Sequence, residues 1–321
     1  MEKESKLLTI YVPTYNRASL LEKNLKALVP QVEKYSKYCR LIVSDNCSLD
    51  STESICSKFL NKIEYIKRDK NNGSASNFVF AFELKDVSYL WILGDDDIVT
   101  DNCLDSIITK ILKNSYPFIY LNFSTLRKGL FYTKIKSKDD IIVRDKDKLY
   151  SLIGCDLTFI SSSIINMKYF TNRQVLIDKK HDPFLQSYIY SCCINNNEDK
   201  LIVSETCFII ENNINTDYSM YKVFGKDLYN LTRFQINELE FNKKIVDKTY
   251  TKYLRKVVMP GLLGAKANNN KVMLNNFNDF YSSTKKYLIS WIVFYPLLII
   301  PNCLYGFAKR LKQFIDRIIK N

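Results

Sequence analysis

The sequence lacks the motifs that mark several common enzyme classes. It contains no G-x-G-x-x-G loop, no Walker lysine loop and no G-x-S-x-G turn, so the usual dinucleotide-binding, P-loop and α/β-hydrolase sites are not expected. Its one histidine is His181, and nothing near this residue resembles the nucleophile turn of a Ser-His-Asp hydrolase. The chemistry of the chain must therefore be sought in other residue types.

The nine cysteines form no C-x-x-C pair and have no regular spacing, which argues against a zinc site or a disulfide framework. They predict reduced, mostly buried thiols in a cytosolic protein. We interpret the vicinal pair Cys192 and Cys193 as small apolar residues of a packed segment. The charged N-terminus, Met1–Lys6, leads into a short apolar segment and is not typical of a secretory signal.

The excess of basic over acidic residues is concentrated in the C-terminal quarter of the chain. The whole sequence carries a net charge of +13, and its 46% of apolar residues can form a large core. From Asn242 onward there are 15 Lys and Arg but three Asp and Glu, whereas the part before carries a net charge of +1. A nearly neutral body with a basic tail argues against nucleic-acid binding and predicts an anionic partner for the tail, such as a membrane surface.

Short apolar or β-branched runs alternate with helical patterns over the first third of the chain. This alternation predicts an α/β fold with a mainly parallel sheet and helices on both faces. Because such sheets bind ligands at the carboxyl ends of their strands, the loops after these strands should share one crevice. We predict strands at Leu7–Val12, Leu41–Ser44, Ile63–Lys67 and Tyr89–Leu93, and helices at Ala18–Leu28, Leu49–Leu60, Ser74–Glu83 and Asp101–Lys113.

The pattern becomes less regular beyond Tyr116. Phe118–Phe123 and Ile141–Val143 have the composition of strands, and Leu157–Ile165 has that of a buried strand. Helical spacing of apolar residues then extends from residue 226 to residue 258. We therefore predict an α/β domain over residues 1–225, a helical extension over 226–284 and a membrane-association segment over 285–321.

A distinctive polar loop follows each of the first four predicted strands, and the last of these loops is strongly acidic. Asp95, Asp96 and Asp97 come directly after the apolar segment Tyr89–Leu93. Because adjacent carboxylates repel one another, a hard divalent ion such as Mn²⁺ or Mg²⁺ would compensate them, with water and ligand phosphates completing its shell. Taken alone, the triplet is equally compatible with acidic residues at the start of the following helix.

The combination of these loops resembles the family 2 glycosyltransferases with the GT-A fold. The resemblance covers about the first 210 residues and includes Pro13-Thr-Tyr-Asn-Arg17, Val43-Ser-Asp-Asn-x-Ser-x-Asp-x-Thr52, Asn72-Gly73 and the acidic motif. Within the family, the chain is most similar to bacterial transferases of the abequosyltransferase type, which build O-antigen or capsule repeats. The resemblance implies a GT-A domain that uses a nucleotide-sugar donor, followed here by a helical, membrane-associating appendage.

The resemblance also implies which residues bind the donor. Thr14 and Tyr15 would line the nucleobase, Asp45 would hydrogen-bond its edge, and Asn72 and Gly73 would lie beside the donor. The full implied set is Pro13, Thr14, Tyr15, Arg17, Asp45, Asn72, Gly73, Asp95 and Asp96.

The acidic triplet would hold Mn²⁺ or Mg²⁺ on the donor diphosphate. Gly94 stands where the family has its first aspartate, and by that alignment Asp96 is the metal ligand. Asp95 would serve the ribose or sugar side, or replace the missing carboxylate. Asp97 stays in the implied metal set with the other two.

Inverting transfer needs a base that takes the proton of the acceptor hydroxyl. In the family this base lies in a Glu-Asp pair at the start of a helix, and the corresponding stretch here is Asp178–Gln186. The resemblance implies Asp182 as the base, with His181 where the glutamate is expected, so the imidazole could share or take the role. Asp178 and Glu205 are the remaining candidates.

An uncharged apolar segment, Tyr287–Ala308, lies between the basic pairs Lys285-Lys286 and Lys309-Arg310. Its length would allow a membrane span, but two internal prolines and positive flanks at both ends argue against one. The residues from Leu304 to Ile318 then place apolar side chains opposite basic ones, a pattern typical of an interfacial helix. We expect monotopic or re-entrant attachment, with a span or a core or dimerisation helix as alternatives.

These observations lead to one leading hypothesis and two alternatives. The chain would be a metal-dependent, inverting glycosyltransferase at the cytoplasmic face of the inner or plasma membrane. It would transfer a sugar to a hydroxyl of a saccharide linked to a polyprenyl diphosphate, for a cell-surface polysaccharide. The alternatives are a catalytically silent nucleotide-sugar-binding or membrane scaffold protein, and a sugar-phosphate nucleotidyltransferase, which the absence of a Gly-rich loop after the first strand disfavours.

Overall fold

The computed structural model describes residues 6–127, 130–211 and 218–299. The chain divides into two compact units, one up to Asn213 and one from Ile214 onward. The first is an α/β structure and the second is helical. The predicted three-part division, with boundaries after residues 225 and 284, stays a prediction.

The first unit is built on one mixed sheet whose strand order is β3-β2-β1-β4-β9-β6-β10-β5, with β7 beside β6 and β8 beside β10. The strands are β1 (Leu8–Thr14), β2 (Cys39–Asp45), β3 (Glu64–Lys67), β4 (Tyr89–Ile92), β5 (Asp97–Val99), β6 (Phe118–Arg127), β7 (Leu130–Thr133), β8 (Ile141–Val143), β9 (Ser163–Asn166) and β10 (Lys200–Glu211). The helices are α1 (Ala18–Lys34), α2 (Thr52–Ser57), α3 (Ser74–Glu83), α4 (Cys103–Lys113), α5 (Lys146–Ile153), α6 (Gln174–Asp178) and α7 (Leu185–Ile194).

Strand β1 lies inside the sheet, because it pairs in parallel with β2 on one side and with β4 on the other. Six of its seven residues are buried, as expected for a strand that is covered on both faces. The predicted α/β class is confirmed, and the sheet is parallel over β1 to β4. Beyond β4 it is mixed, since β9 runs antiparallel between β4 and β6.

The strand register aligns the loops that the sequence marks as functional. Thr14 at the end of β1 is the partner of Asp45 at the end of β2, and Tyr11 is the partner of Ile92 at the end of β4. The carboxyl ends of these three strands therefore lie at one edge of the sheet, where α/β proteins bind their ligands.

One predicted strand is wrong in its extent. Within Leu157–Ile165, only the last residues belong to β9, and the preceding residues form short 3₁₀ turns at Gly154–Thr158 and Ile160–Ser162. The hydroxyl of Ser162 donates a 2.7 Å hydrogen bond to the carbonyl of Phe159, a local bond of the kind by which serine competes with strand pairing.

Further elements differ from the prediction, and helix α1 continues six residues beyond the predicted end at Leu28, to Lys34. Helix α2 begins at Thr52 and not at the predicted Leu49, because Asp50 accepts a 3.0 Å hydrogen bond from the backbone N–H of Thr52 and so holds the turn before the helix. It ends at Ser57, before the predicted Leu60. Strand β5 was not predicted, since it is three residues long and forms by antiparallel pairing with distant β10.

The second unit confirms the predicted helical region. Its helical spacing is interrupted near Asn242, whose side chain accepts a 3.0 Å hydrogen bond from the N–H of Lys244 and so begins a new helix. The core includes Tyr250, Leu254 and Phe280. The helices are α8 (Leu228–Asn237), α9 (Lys243–Tyr253), α10 (Met259–Ala267), α11 (Phe277–Thr284) and α12 (Tyr295–Ile299), with π-helical segments at Tyr221–Asp227, Leu254–Val258 and Ser290–Phe294.

Within the described ranges, no helix combines the length and the apolar character needed to cross a bilayer. The predicted interfacial face from Leu304 to Ile318 lies outside these ranges.

Candidate active site

A cavity of about 350 Å³ opens at the carboxyl edge of β1, β2 and β4. The loop from β1 to α1, the acidic loop after β4 and the start of α3 all contribute to its lining, and the part formed by the acidic loop is called the floor below. The residues that line the cavity are Pro13, Thr14, Tyr15, Arg17, Asn46, Asn71, Gly73, Ser74, Asn77, Phe78, Gly94, Asp95, Asp96 and Ile160.

Arg17 bridges two carboxylates at the floor of the cavity. Its Nη1 lies 2.6 Å from Oδ1 of Asp95, and its Nη2 lies 2.7 Å from Oδ2 of Asp96. The second oxygen of Asp95 accepts a 2.8 Å hydrogen bond from the hydroxyl of Thr14. Four residues that were predicted to bind the donor, from two different loops, thus share one network.

The two carboxylates of this network differ in their surroundings. Asp95 is buried, and burial raises its pKa to about 6, against the opposing effects of Arg17 and of the Thr14 hydroxyl. The side chain of Asp96 is 33% exposed. Asp96 is therefore the carboxylate that water and an incoming ligand reach first.

Asp97 is turned away from the cavity and is buried. One of its carboxyl oxygens accepts a hydrogen bond from the hydroxyl of Ser161, which itself accepts a 2.8 Å hydrogen bond from the N–H of Gly94. Burial raises the pKa of Asp97 to about 8, with the Ser161 hydroxyl acting in the opposite direction. A Cβ at Gly94 would lie 2.9 Å from the Asp97 carboxylate, so glycine at this position leaves room for the inward-facing side chain.

Asn24 holds the acidic loop through two side-chain hydrogen bonds. Its amide donates hydrogen bonds of 2.7 Å to the carbonyl of Asp97 and 3.1 Å to the carbonyl of Gly94. The sequence contained a signal for this role, because Asn24 is a polar residue between Leu21 and Leu25 on the apolar face of α1.

The metal set predicted from the sequence is therefore only partly gathered at the cavity. Asp95 and Asp96 face it, and two carboxylates suit Mn²⁺ or Mg²⁺, which proteins usually hold through one or two carboxylates, water and phosphate oxygens. Among the described residues, no cluster of three or more His, Cys, Asp and Glu side chains is arranged for a metal ion. The inward orientation of Asp97 accounts for this difference.

Asp45, which was predicted to hydrogen-bond the nucleobase, is not among the residues that line the cavity. It is buried, its Oδ1 accepts a 2.8 Å hydrogen bond from the N–H of Ser48, and its Oδ2 accepts a 2.7 Å hydrogen bond from the hydroxyl of Tyr65. The neighbouring Asn46 reaches the cavity instead. The sequence could not separate these adjacent polar residues, because both are compatible with a binding loop.

The turn before α3 brings Gly73 to the cavity. Gly73 has a φ of +84°, a conformation that favours glycine, and its N–H donates a 2.8 Å hydrogen bond to the side chain of Asn71. Asn71 lines the cavity, whereas the predicted Asn72 is exposed and is not among the lining residues.

The predicted base lies in the turn that precedes α7. Asp182 accepts a 2.9 Å hydrogen bond from the N–H of Phe184, and His181 is exposed. Helix α7 is attached to the segment that contributes Ile160 to the cavity, since Gln186 donates a 3.2 Å hydrogen bond to the carbonyl of Thr158. The structure thus connects this turn to the cavity wall, although neither His181 nor Asp182 lines the cavity.

Comparisons with known proteins agree with this architecture. Residues 9–162 match the model of the family described as Glycosyl transferase family 2. The chain is 30% identical to the abequosyltransferase RfbV of Salmonella typhimurium over 148 residues, which cover 45% of this chain and 43% of that protein. It is 24% identical over 161 residues to WfgD of Escherichia coli, a UDP-Glc:α-D-GlcNAc-diphosphoundecaprenol β-1,3-glucosyltransferase, covering 50% of this chain and 62% of the relative. The chain thus matches less than two thirds of either relative.

Two solved structures share the fold at low sequence identity. One is Staphylococcus aureus TarS, residues 1–349, in complex with UDP-GlcNAc, with a TM-score of 0.63, 13% identity and coverage of 88% of this chain and 81% of that one. The other is the mannosyltransferase PcManGT of Pyrobaculum calidifontis with GDP-Man and Mn²⁺, with a TM-score of 0.52, 12% identity and coverage of 96% and 87%. Residues 9–162 therefore belong to glycosyl transferase family 2, which confirms the resemblance predicted from the sequence.

Proposed function

We propose that the protein is an inverting glycosyltransferase, which transfers a sugar from a nucleotide-sugar donor to a hydroxyl of a saccharide acceptor. One observation supports this most strongly: Arg17, Asp95 and Asp96 meet at the floor of a cavity on the carboxyl edge of the sheet. A guanidinium suits a phosphate, and paired carboxylates suit a hard cation. A nucleoside diphosphate that binds together with Mn²⁺ or Mg²⁺ supplies the phosphate for the guanidinium and the cation for the carboxylates.

The cavity walls match the remaining parts of a nucleotide-sugar. Tyr15 and Phe78 offer aromatic surface for a base. The side-chain nitrogen of Asn46 donates a 2.6 Å hydrogen bond to the side-chain oxygen of Asn71, so this pair would offer the Asn46 oxygen and the Asn71 nitrogen to the edge of the base. The backbone at Gly73 permits close approach of the donor. Asp95 is held in place by the hydroxyl of Thr14 and, in the donor-free protein, by Arg17.

The transfer step would be a single displacement. The Asp182 carboxylate, or the imidazole of His181 beside it, takes the proton of the acceptor hydroxyl, and the acceptor oxygen forms its bond to the anomeric carbon. The bond from that carbon to the diphosphate oxygen breaks, and the nucleoside diphosphate leaves with the electron pair. Mn²⁺ or Mg²⁺, held by Asp96 and Asp95, would supply charge stabilisation of the leaving diphosphate. Asp97 would position the acidic loop through Ser161.

A lipid-linked acceptor is the acceptor class that we favour. The relative from Escherichia coli carries diphosphoundecaprenol in the name of its substrate, and an acceptor of this class resides in a membrane. The protein would then work at the cytoplasmic face of the inner or plasma membrane, as a peripheral or monotopic protein in the synthesis of a cell-surface polysaccharide.

An exposed apolar face of the second unit supports this location. Residues 288–299 are helical and contain no charged residue. Phe294 and Leu298 are buried on the inner side. Solvent-exposed apolar side chains are normally scattered, so a continuous helical face of them marks an interaction surface. The exposed members of this apolar face are Leu288, Trp291, Ile292, Pro296 and Ile299.

The charges next to the apolar face favour a bilayer as its partner. Lys285 and Lys286 are exposed just before it, and the indole N–H of Trp291 donates a 2.7 Å hydrogen bond to the carbonyl of Lys285. Tryptophan and lysine at the edge of an apolar surface are typical of a helix that lies in the interface of an anionic membrane. A protein partner would not require this arrangement.

A donor screen tests the proposed function. Thermal unfolding of the full chain is followed with UDP-, GDP-, CDP- and dTDP-sugars, each with and without Mn²⁺. We expect one nucleotide class to raise the unfolding temperature in a Mn²⁺-dependent way. Transfer is then assayed with that donor and a saccharide linked to undecaprenyl diphosphate. Binding without any transfer would favour the silent binding protein, and binding of no nucleotide would contradict the proposal.

A further inference from the structure

Arg17 is the one cationic residue among the described residues that line the cavity. Both of its terminal nitrogens are engaged, one with Asp95 and one with Asp96. A donor diphosphate that enters this cavity carries at least two negative charges and would meet two carboxylates with a single cation already bound to them. Charge balance at the floor of the cavity must therefore change when the donor binds.

The backbone of Arg17 is fixed, whereas its side chain has access to the cavity. The carbonyl of Arg17 accepts 3.0 Å hydrogen bonds from the N–H groups of Leu20 and Leu21, which hold it at the start of α1. Its side chain is 41% exposed. A guanidinium in this position can turn from the carboxylates to a phosphate by rotation about side-chain bonds, with no movement of the helix.

Resting on the proposed function, we infer that Arg17 is an exchangeable counter-ion. In the donor-free protein its single positive charge offsets part of the negative charge of Asp95 and Asp96, which suppresses binding of a divalent cation by itself. When a nucleoside diphosphate binds, the guanidinium pairs with the phosphates and leaves the carboxylates available to the cation. Cation and nucleotide would then bind cooperatively, and each would raise the affinity for the other by the same factor.

The first test uses Mn²⁺ alone and therefore needs no knowledge of the donor. Binding of Mn²⁺ to the full chain is measured from the electron paramagnetic resonance signal of the free ion. We expect Arg17→Gln to bind Mn²⁺ about tenfold or more tightly than the unchanged protein, because the carboxylates lose their internal cation. The Mn²⁺ affinity of Arg17→Lys should lie between those of the unchanged protein and Arg17→Gln, since an ammonium cannot bridge two carboxylates as a guanidinium does.

Arg144→Gln is the matched control. Arg144 forms an exposed ion pair with Asp199 at 2.9 Å in the same unit, and neither residue lines the cavity. Arg144→Gln changes the net charge of the protein by the same amount as Arg17→Gln. Unchanged Mn²⁺ affinity in Arg144→Gln would therefore show that the tighter binding in Arg17→Gln depends on the position of Arg17 and not on net charge. Far-UV circular dichroism of each variant shows whether it folds, and Arg17→Lys keeps the test valid if Arg17→Gln does not.

The second test measures coupling with UDP, or with whichever nucleoside diphosphate the donor screen selects. In the unchanged protein, saturating nucleotide should tighten Mn²⁺ binding, and Arg17→Gln should lose most of that gain. Equal or weaker binding of Mn²⁺ alone by folded Arg17→Gln would overturn the inference. Failure of the unchanged protein to bind any nucleoside diphosphate would instead contradict the proposed function, and the comparison with Mn²⁺ alone distinguishes the two failures.

Discussion

The hydroxyl of Thr14 donates a 2.8 Å hydrogen bond to the carboxylate of Asp95, although the two residues are 81 positions apart in the chain. The bond joins the end of β1 to the loop after β4, its parallel neighbour. Since Asp95 is buried, this contact and the ion pair with Arg17 determine the orientation of its carboxylate. The candidate site therefore depends on strand pairing as much as on its acidic motif.

Thr14→Val should weaken both donor binding and stability. Valine keeps the shape of threonine and suits a strand, but it leaves a buried oxygen of Asp95 without its donor, at a cost of about 1–3 kcal/mol. Urea unfolding and donor titration check this. Thr9→Val in the same strand is the control: Thr9 accepts a hydrogen bond from Arg40 away from the cavity, so it should lose stability without losing donor affinity. Equal loss of donor affinity in both variants would contradict the proposed role of Thr14.

Asp96 and Asp97 should respond differently to mutation. Asp96→Ala removes the most accessible carboxylate of the cavity and should abolish Mn²⁺-dependent nucleotide binding. Asp97→Asn should keep this binding, because Asp97 lies outside the cavity and an amide oxygen can still accept the hydrogen bond from Ser161. Calorimetric titration of nucleotide with and without Mn²⁺ distinguishes them. Undiminished Mn²⁺-dependent affinity in Asp96→Ala would remove Asp96 from the proposed metal site.

The sequence was sufficient to predict the α/β class and the edge of the sheet at which the polar loops meet. Alternating strands and helices predict parallel strands, and parallel strands bring the loops at Pro13–Arg17 and Gly94–Asp97 to one edge. Their meeting at the cavity follows from this geometry. This placement of the two loops does not depend on predicting the exact ends of the strands.

The orientation of individual side chains could not be predicted in the same way. The sequence alone cannot distinguish the orientations of Asp95, Asp96 and Asp97. In the structure, Asp97 begins β5 and is the register partner of Ile210. A strand pair formed across more than 100 residues thus determines which carboxylate is turned away from the cavity. Asn71 and Asn72 pose the same difficulty, since adjacent residues of a turn point in different directions and only the former lines the cavity.

Asp182→Asn should separate binding from chemistry. The amide can still accept the hydrogen bond from the N–H of Phe184, so the turn and donor affinity should be retained, but an amide cannot take a proton at neutral pH. Loss of a general base lowers the rate by about a hundred- to ten-thousandfold. Steady-state transfer rates and donor titration check this, with His181→Gln as the comparison. Near-normal turnover in Asp182→Asn and a large loss in His181→Gln would assign the base to the imidazole.

The second unit contains an ion-pair network that should make its stability dependent on pH. Asp247 accepts hydrogen bonds from Lys243 at 2.6 Å, Tyr287 at 2.7 Å and Arg233. These partners lower its pKa to about 2, although partial burial acts in the opposite direction. Because the pKa is depressed in the folded state, the stabilisation is complete above the unfolded-state pKa of about 4 and is lost as the pH falls toward 2.

Asp247→Asn tests this network. At pH 7 the variant should be less stable than the unchanged chain by about 1–3 kcal/mol, since it removes charge-assisted hydrogen bonds. The difference in free energy of unfolding should shrink as the pH falls from about 5 to 2. Urea titrations at several pH values measure it, with the exposed, singly paired Asp199→Asn as control. A difference that does not change with pH would show that packing, not charge, accounts for the loss.

The exposed apolar face, Leu288 to Ile299, should determine attachment to membranes. The double variant Leu288→Glu/Ile292→Glu places two charges among side chains that are 73% and 65% exposed, so it should fold normally. It should lose cosedimentation with vesicles of phosphatidylglycerol and phosphatidylcholine, because each carboxylate resists burial in the interface and is repelled by anionic lipid. Val272→Glu, at a site that is 51% exposed in the same unit, is the control and should still sediment.

Size-exclusion chromatography and donor binding, measured on the same samples, separate the remaining explanations. A bilayer partner predicts that the unchanged chain and the double variant have the same oligomeric state without lipid, and that both bind donor equally. If the double variant instead dissociates an oligomer and still sediments with vesicles, the face joins copies of the chain. If it sediments and stays in the same oligomeric state, membrane attachment does not depend on these residues. Because the proposed donor site lies in the first unit, either result would leave the proposed transfer chemistry unaffected.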